Sequence, residues 1–186
     1  YLKLAQDTAP GMHRYMPNAG YTETRQAVAE GLSAETGITF SMGDVVMTCG
    51  AAAALNVVLK SLLDPGDEVI FFAPYFVEYG YYTDSHGGIS VVAPTDESFQ
   101  PDLDALESLI TPRTKVVLIN SPNNPSGVLY PESSIRELGN LIRKKEVQFG
   151  TEIFLISDEP YRRIIFDGLP YPHIYTHHNA SIAIHS

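Results

Sequence analysis

The chain has 186 residues, room for one substantial domain, and 44% of them are hydrophobic, the make-up of ordinary globular material. A net charge of −10, from 22 acidic and 12 basic side chains, argues against a nucleic-acid surface, which needs clustered Lys and Arg; a small anionic ligand is still compatible with it, because a few backbone N–H groups at a helix start can hold a phosphate. Cys49 is the only cysteine, so no internal disulfide forms, which fits a cytoplasmic setting, and no apolar run is long enough to span a bilayer.

In chain order, residues 22–36 (TETRQAVAEGLSAET) read as a helix capped by Thr22, with Arg25 expected to pair with a nearby Glu and Gly37 ending it. Residues 45–48 read as a short strand. Residues 51–63, rich in Ala and Leu, read as a helix that stops at the turn Asp64-Pro65-Gly66-Asp67. A continuous apolar strand follows at 69–72, a helix at about 76–84, and a strand at 89–92. Residues 102–110 have a helical pattern with an acidic first turn. Residues 115–120 are a strand, 131–145 a helix with Pro131 near its start, and 153–156 and 181–184 two further strands. Strands that are apolar throughout and alternate with helices predict an α/β fold: a three-layer α/β/α sandwich around a mostly parallel sheet.

Ligands of such sheets bind beyond the carboxyl ends of the strands, which directs attention to four loops. "CGAAAALN" puts Gly50 and small residues where a helix begins, a place for an anion on free N–H groups or simply for close helix–sheet packing. "APYFVEY" brings Tyr75 and Phe76 to a strand end, where a ring either lies on a planar ligand or joins the core. "NSPNNPSG" offers amide donors held by two prolines. "SDEPY" sets Asp158 just past a buried strand, where a carboxylate is costly without a cationic partner; Pro160 opposes an immediate helix that Asp158 would cap, and Tyr161 adds a phenol nearby. The motifs GxxxxGK[ST], GxGxxG and GxSxG are absent. His177-His178 has no third ligand spaced nearby and is not read as a metal site; Cys49 is read as a small buried residue rather than a nucleophile.

With "NSPNNPSG" followed about thirty residues later by "SDEPY", the sequence resembles the class I/II, fold-type I aminotransferases that use pyridoxal phosphate, over almost its whole length. The resemblance implies a set of roles. Asn124 and Tyr161 donate hydrogen bonds to the cofactor's ring hydroxyl oxygen. Asp158 pairs with the pyridinium nitrogen and keeps it protonated. Phe76 covers the ring, and the backbone N–H groups of Ala51 and Ala52 hold the phosphate. Tyr15, in "YMPNAGYTETRQAVA", reaches the phosphate of a neighbouring subunit, so the intact protein is expected to be a homodimer. The implied substrates are an amino acid and a 2-oxo acid, with no nucleic acid and no membrane as partner. Ser126 stands where the family usually has Thr, and the 51–54 turn is all Ala where many relatives have a hydroxyl or Lys. Cis bonds are expected at Asn124–Pro125 and Ala73–Pro74.

The same resemblance implies parts that these residues do not contain. The lysine that holds the cofactor as a Schiff base is expected a few residues beyond Ser186, since no Lys occurs from Arg162 onward. A small C-terminal domain, with the Arg that binds the substrate carboxylate, and an N-terminal segment are expected outside the chain as well. Residues 1–186 thus read as an incomplete large domain. A carbon–sulfur lyase of the same fold shares every residue named above; a regulator whose domain binds ligand without turnover is a further reading, and it would carry a DNA-binding module upstream, of which these 186 residues contain nothing.

Overall fold

A computed structural model describes residues 14–186, which divide into two compact units at Thr48 and Cys49. In the first unit, α1 (Thr22–Thr36) follows the predicted span, and Gly37 ends it in the left-handed conformation with φ 73°. Thr22 does not cap this helix: it is the first helical residue, and the cap position is Tyr21, with no side-chain hydrogen bond. Arg25 donates to the carbonyls of Val45 and Met42 rather than serving a surface ion pair. A 3-10 turn, Met42–Asp44, is closed by a reciprocal cap in which Ser41 and Asp44 bond each other's backbone. The strand predicted at 45–48 does not form. Two of its donors go elsewhere, the Val45 N–H to the Met42 carbonyl and the Met47 N–H to the Ala19 carbonyl, and no strand is paired alongside it among the described residues.

The second unit is built on five strands: β1 (Glu68–Phe72), β2 (Ile89–Ala93), β3 (Thr114–Asn120), β4 (Phe154–Asp158) and β5 (Ser181–Ile184). They lie in the order β2-β1-β3-β4-β5, every pair parallel. Four helices connect or precede them: α2 (Gly50–Leu62), α3 (Glu78–Ser85), α4 (Leu103–Leu109) and α5 (Glu132–Phe149). The period of two along each strand sends successive side chains to opposite faces. Val69, Phe71, Val116, Leu118 and Ile156 pack with Leu55 and Leu59 of α2 and Tyr79 of α3. Ile70, Phe72, Val117, Ile119 and Leu155 pack with Leu106 of α4 and Ile135, Leu138 and Ile142 of α5. The central strands are therefore apolar throughout because both faces are covered, and the three-layer sandwich is the architecture observed.

Helix ends follow local chemistry. Asp102 caps α4 by accepting from the Ala105 N–H at 2.9 Å. The last strong helix, α5, runs four residues past its expected end, to Phe149, where Gly150 turns left-handed with φ 67°. At the amino ends of β1 and β3, Glu68, only 4% exposed, accepts from Thr111 at 2.6 Å, from Thr114 at 3.2 Å and from the Arg113 guanidinium at 2.8 and 3.1 Å. Glu68→Ala strands this whole donor set. Because Arg113 is largely exposed, its share is small, and the expected loss is about 1–3 kcal/mol in chemical denaturation with an unchanged m-value. A wild-type midpoint would show that the donors find water instead.

Candidate active site

The strand order reverses between β1 and β3, and the chain leaves the carboxyl ends of β1, β3 and β4 in three loops that face the amino end of α2. A cleft there is lined by Ala51, Ala52, Phe76, Asn124, Asp158 and Tyr161, with Glu78, Tyr79 and Asn120 among its other walls. All six residues singled out from the sequence in this unit thus meet at one sheet edge. Tyr15 belongs to the first unit, where its side chain is fully exposed.

Each loop has a distinct means of placing its residue. Gly50 opens α2 with φ 82°, a conformation that a side chain would strain; a Cβ built on it would meet nothing within 4 Å, so the requirement is conformational and not steric. Cys49, just before it, is exposed rather than buried, since the turn that starts the helix carries it outward. After β1, the two aromatics part ways: Tyr75 turns in against Phe71, with ring centroids 4.5 Å apart, while Phe76 lines the cleft.

The loop after β3 is bolted down by its own asparagines. Asn120 donates to the Asp158 carbonyl at 2.8 Å and accepts from the Asn124 N–H at 2.6 Å. Asn123 donates to the Pro74 carbonyl at 3.3 Å, and its Oδ1 accepts from the Ser126 N–H and hydroxyl at 3.1 and 2.7 Å. Ser126 keeps the hydroxyl that this contact needs. Asn120 and Asn123 give their amides to backbone carbonyls, whereas the Asn124 Nδ2 stands 3.4 Å from the Tyr161 hydroxyl in the cleft wall. Cis bonds occur at Ala73–Pro74 and Asn124–Pro125, as expected, and at Ser121–Pro122, which was not anticipated.

Asp158 is the last residue of β4 rather than a residue beyond it, and it pairs in register with Asn120 on β3. No helix follows; turn bonds from Arg162 N–H to Glu159 and from Ile164 N–H to Tyr161 hold the segment that presents Tyr161. The Asp158 carboxyl is 5% exposed; Oδ2 accepts from the Tyr79 hydroxyl at 2.6 Å, and Oδ1 is buried with no hydrogen-bond partner. Burial raises its pKa above the usual carboxylate range, and the Tyr79 hydrogen bond opposes that rise in part. A buried carboxyl with one unused oxygen is a receptor for a protonated nitrogen. Sequence reasoning missed Tyr79 and Asn120. Tyr79 is spaced three residues from Phe76, one helical turn, which is the signal that would have brought it to the same place.

Among the described residues, no cluster of three or more His, Cys, Asp or Glu is arranged to hold a metal, and no helix is long and apolar enough to cross a membrane. His178 is buried, with Nε2 at 2.7 Å from the Ile153 carbonyl.

A parallel α/β sandwich with this cleft defines a class: the chain matches the class I and II aminotransferases over residues 2–184 and belongs to that family. It is 41% identical over 162 residues to a probable aspartate/prephenate aminotransferase of Thermus aquaticus, covering 86% of this chain and 41% of that protein. It is 37% identical to the aspartate/prephenate aminotransferase of Thermus thermophilus, over 86% of this chain and 40% of that one. The crystal structure of an aminotransferase from Eubacterium rectale superposes on all of this chain and 47% of its own, with a TM-score of 0.94 and 41% identity. The chain spans about 40% of the length of these two Thermus relatives.

Proposed function

We propose that the protein carrying this chain is a pyridoxal-phosphate-dependent aminotransferase that moves an amino group between an amino acid and a 2-oxo acid, with residues 1–186 forming part of its large domain. The observation that carries this reading is the buried Oδ1 of Asp158, an acceptor without a partner in the wall of a cleft that also holds an aromatic face, an amide and a phenol. The residues present fit the cofactor. When bound, it supplies an electron sink for the bonds at the substrate's α-carbon. Asp158 holds the proton on its ring nitrogen. Asn124 and Tyr161, already within reach of each other, donate to its ring hydroxyl oxygen. The unpaired N–H groups at Ala51 and Ala52 receive the phosphate, and Phe76 covers the ring and excludes water from one face.

On the same reading the intact protein is a cytoplasmic homodimer, with Tyr15 serving the neighbouring subunit's phosphate. The names of the Thermus relatives make aspartate and prephenate the first substrates to try. The test is a single half-reaction on the loaded, complete protein. Aspartate, or another amino-acid donor, should release one equivalent of its 2-oxo acid with no free ammonia. With a cysteine S-conjugate as a second donor, cleavage of its carbon–sulfur bond to a thiol, pyruvate and ammonia would assign a lyase instead, and binding of either donor without product would assign a ligand sensor.

A further inference from the structure

We infer that Tyr79 is a positioning residue for the ring-nitrogen partner: its hydroxyl occupies Oδ2 of Asp158 and leaves Oδ1 as the single acceptor offered to a protonated ring nitrogen. This rests on the proposed function and adds a residue to it.

The geometry separates this role from ordinary core filling. Tyr79 is 2% exposed and packs with Phe71, Leu55 and Leu59, so its ring alone would account for its burial. Its hydroxyl must still find a partner, and a carbonyl would do. The partner is instead a cleft carboxylate 79 positions away in sequence, at 2.6 Å. The Asp158 main chain is fixed separately, by the Asn120 amide on its carbonyl and by the ladders to β3 and β5. With backbone and Oδ2 both held, the carboxylate plane is set, and Oδ1 is the atom still free to accept.

Tyr79 also lies one turn after Phe76. The Tyr79 N–H bonds the Phe76 carbonyl at 3.1 Å, and the two rings meet edge to face with centroids 5.7 Å apart. The turn that enters α3 and the first turn of that helix therefore carry, respectively, the face that covers the ring and the group that steadies the acid beneath the ring nitrogen. Burial and the Asp158 charge push the Tyr79 phenol far above its ordinary value, so it stays a donor throughout the working pH range.

The test compares two probes in the complete protein, pyridoxal phosphate and its 1-deaza analogue, in which CH replaces the ring nitrogen. The wild type should prefer the pyridine. Tyr79→Phe keeps the ring and loses the hydroxyl; it should cut that preference about tenfold while leaving affinity for the deaza analogue unchanged. A wild-type preference in Tyr79→Phe overturns the inference. Asp158→Ala serves as the separate control on the reading beneath it: a preference unchanged there would defeat the cofactor assignment itself, whatever Tyr79 does. If Tyr79→Phe fails to fold, 3-fluorotyrosine at position 79 keeps the shape and donates more strongly. The ¹⁵N signal of the bound ring should then move toward the protonated value, and an unmoved signal overturns the inference.

Discussion

Asp158→Ala in the complete protein should weaken cofactor binding at least about a hundredfold, while Tyr161→Phe should weaken it only severalfold. The two side chains reach the same cleft, but their environments differ. Asp158 is buried at a strand end, and removing one member of a buried charge pair costs roughly 3–5 kcal/mol. Tyr161 is 38% exposed and stands beside the Asn124 amide, so its loss removes one hydrogen bond of about 0.5–1.5 kcal/mol from an oxygen that Asn124 still serves. Titration of the cofactor by absorbance, followed by the half-reaction rate, separates them; equal losses would mean that Asp158 does not meet the ring nitrogen. The cofactor-free protein should behave in the opposite sense. Burial holds the Asp158 pKa above its unfolded value, so the folded state takes up the proton more readily. Its contribution to stability is full below the ordinary carboxylate pKa and is lost as pH rises through the folded one. Asp158→Asn, which cannot ionise, should therefore be the more stable protein at neutral pH, with the gap closing as pH falls into the carboxylate range.

Gly139→Ala should destabilise the fold by about 2–3 kcal/mol, a fall of roughly 5–10 °C in Tm. Gly139 is buried on α5, and a Cβ there would lie 2.2 Å from the His177 carbonyl oxygen and 2.9 Å from its carbon. Alanine is the better helix former by about 1 kcal/mol, but the obstacle is backbone and cannot rotate aside. The 3-10 turn Ile174–Thr176 leads into it, the Arg143 guanidinium donates to that same carbonyl, and the next residue, His178, is tied to Ile153. Thermal unfolding of the variant decides the matter; a wild-type Tm would show that the 174–178 segment is free to retreat.

The sheet and most helices were legible because their patterns are strong: five apolar runs, each bounded by turn residues, became five parallel strands. The failures have specific physical causes. Residues 45–48 look like a strand by composition, yet a strand also needs a ladder partner, and composition does not reveal one. Thr22 looks like a cap, but the helix starts on it. In the cleft, residues at loop ends stood out because Asn, Asp and Pro are unusual beside core strands. Tyr79 did not, since a tyrosine inside an apolar stretch reads as packing, and only the position of Asp158 across the sheet turns its hydroxyl into part of the site. Tyr75 and Phe76 are adjacent and chemically alike, and which one faces inward is decided by the turn after β1.

The walls of the cleft are drawn from the start of α2 and from the ends of β1, β3 and β4, between Ala51 and Tyr161, and no local stretch supplies more than a part of them. The cleft therefore exists only where the second unit is folded, and a ligand seated in it binds the folded state alone. By mass action a ligand seated there raises unfolding free energy by RT ln(1 + [L]/Kd), about 2.7 kcal/mol at a hundred times Kd. Scarcity of ligand in a cell would then lower the amount of this protein as well as its occupancy.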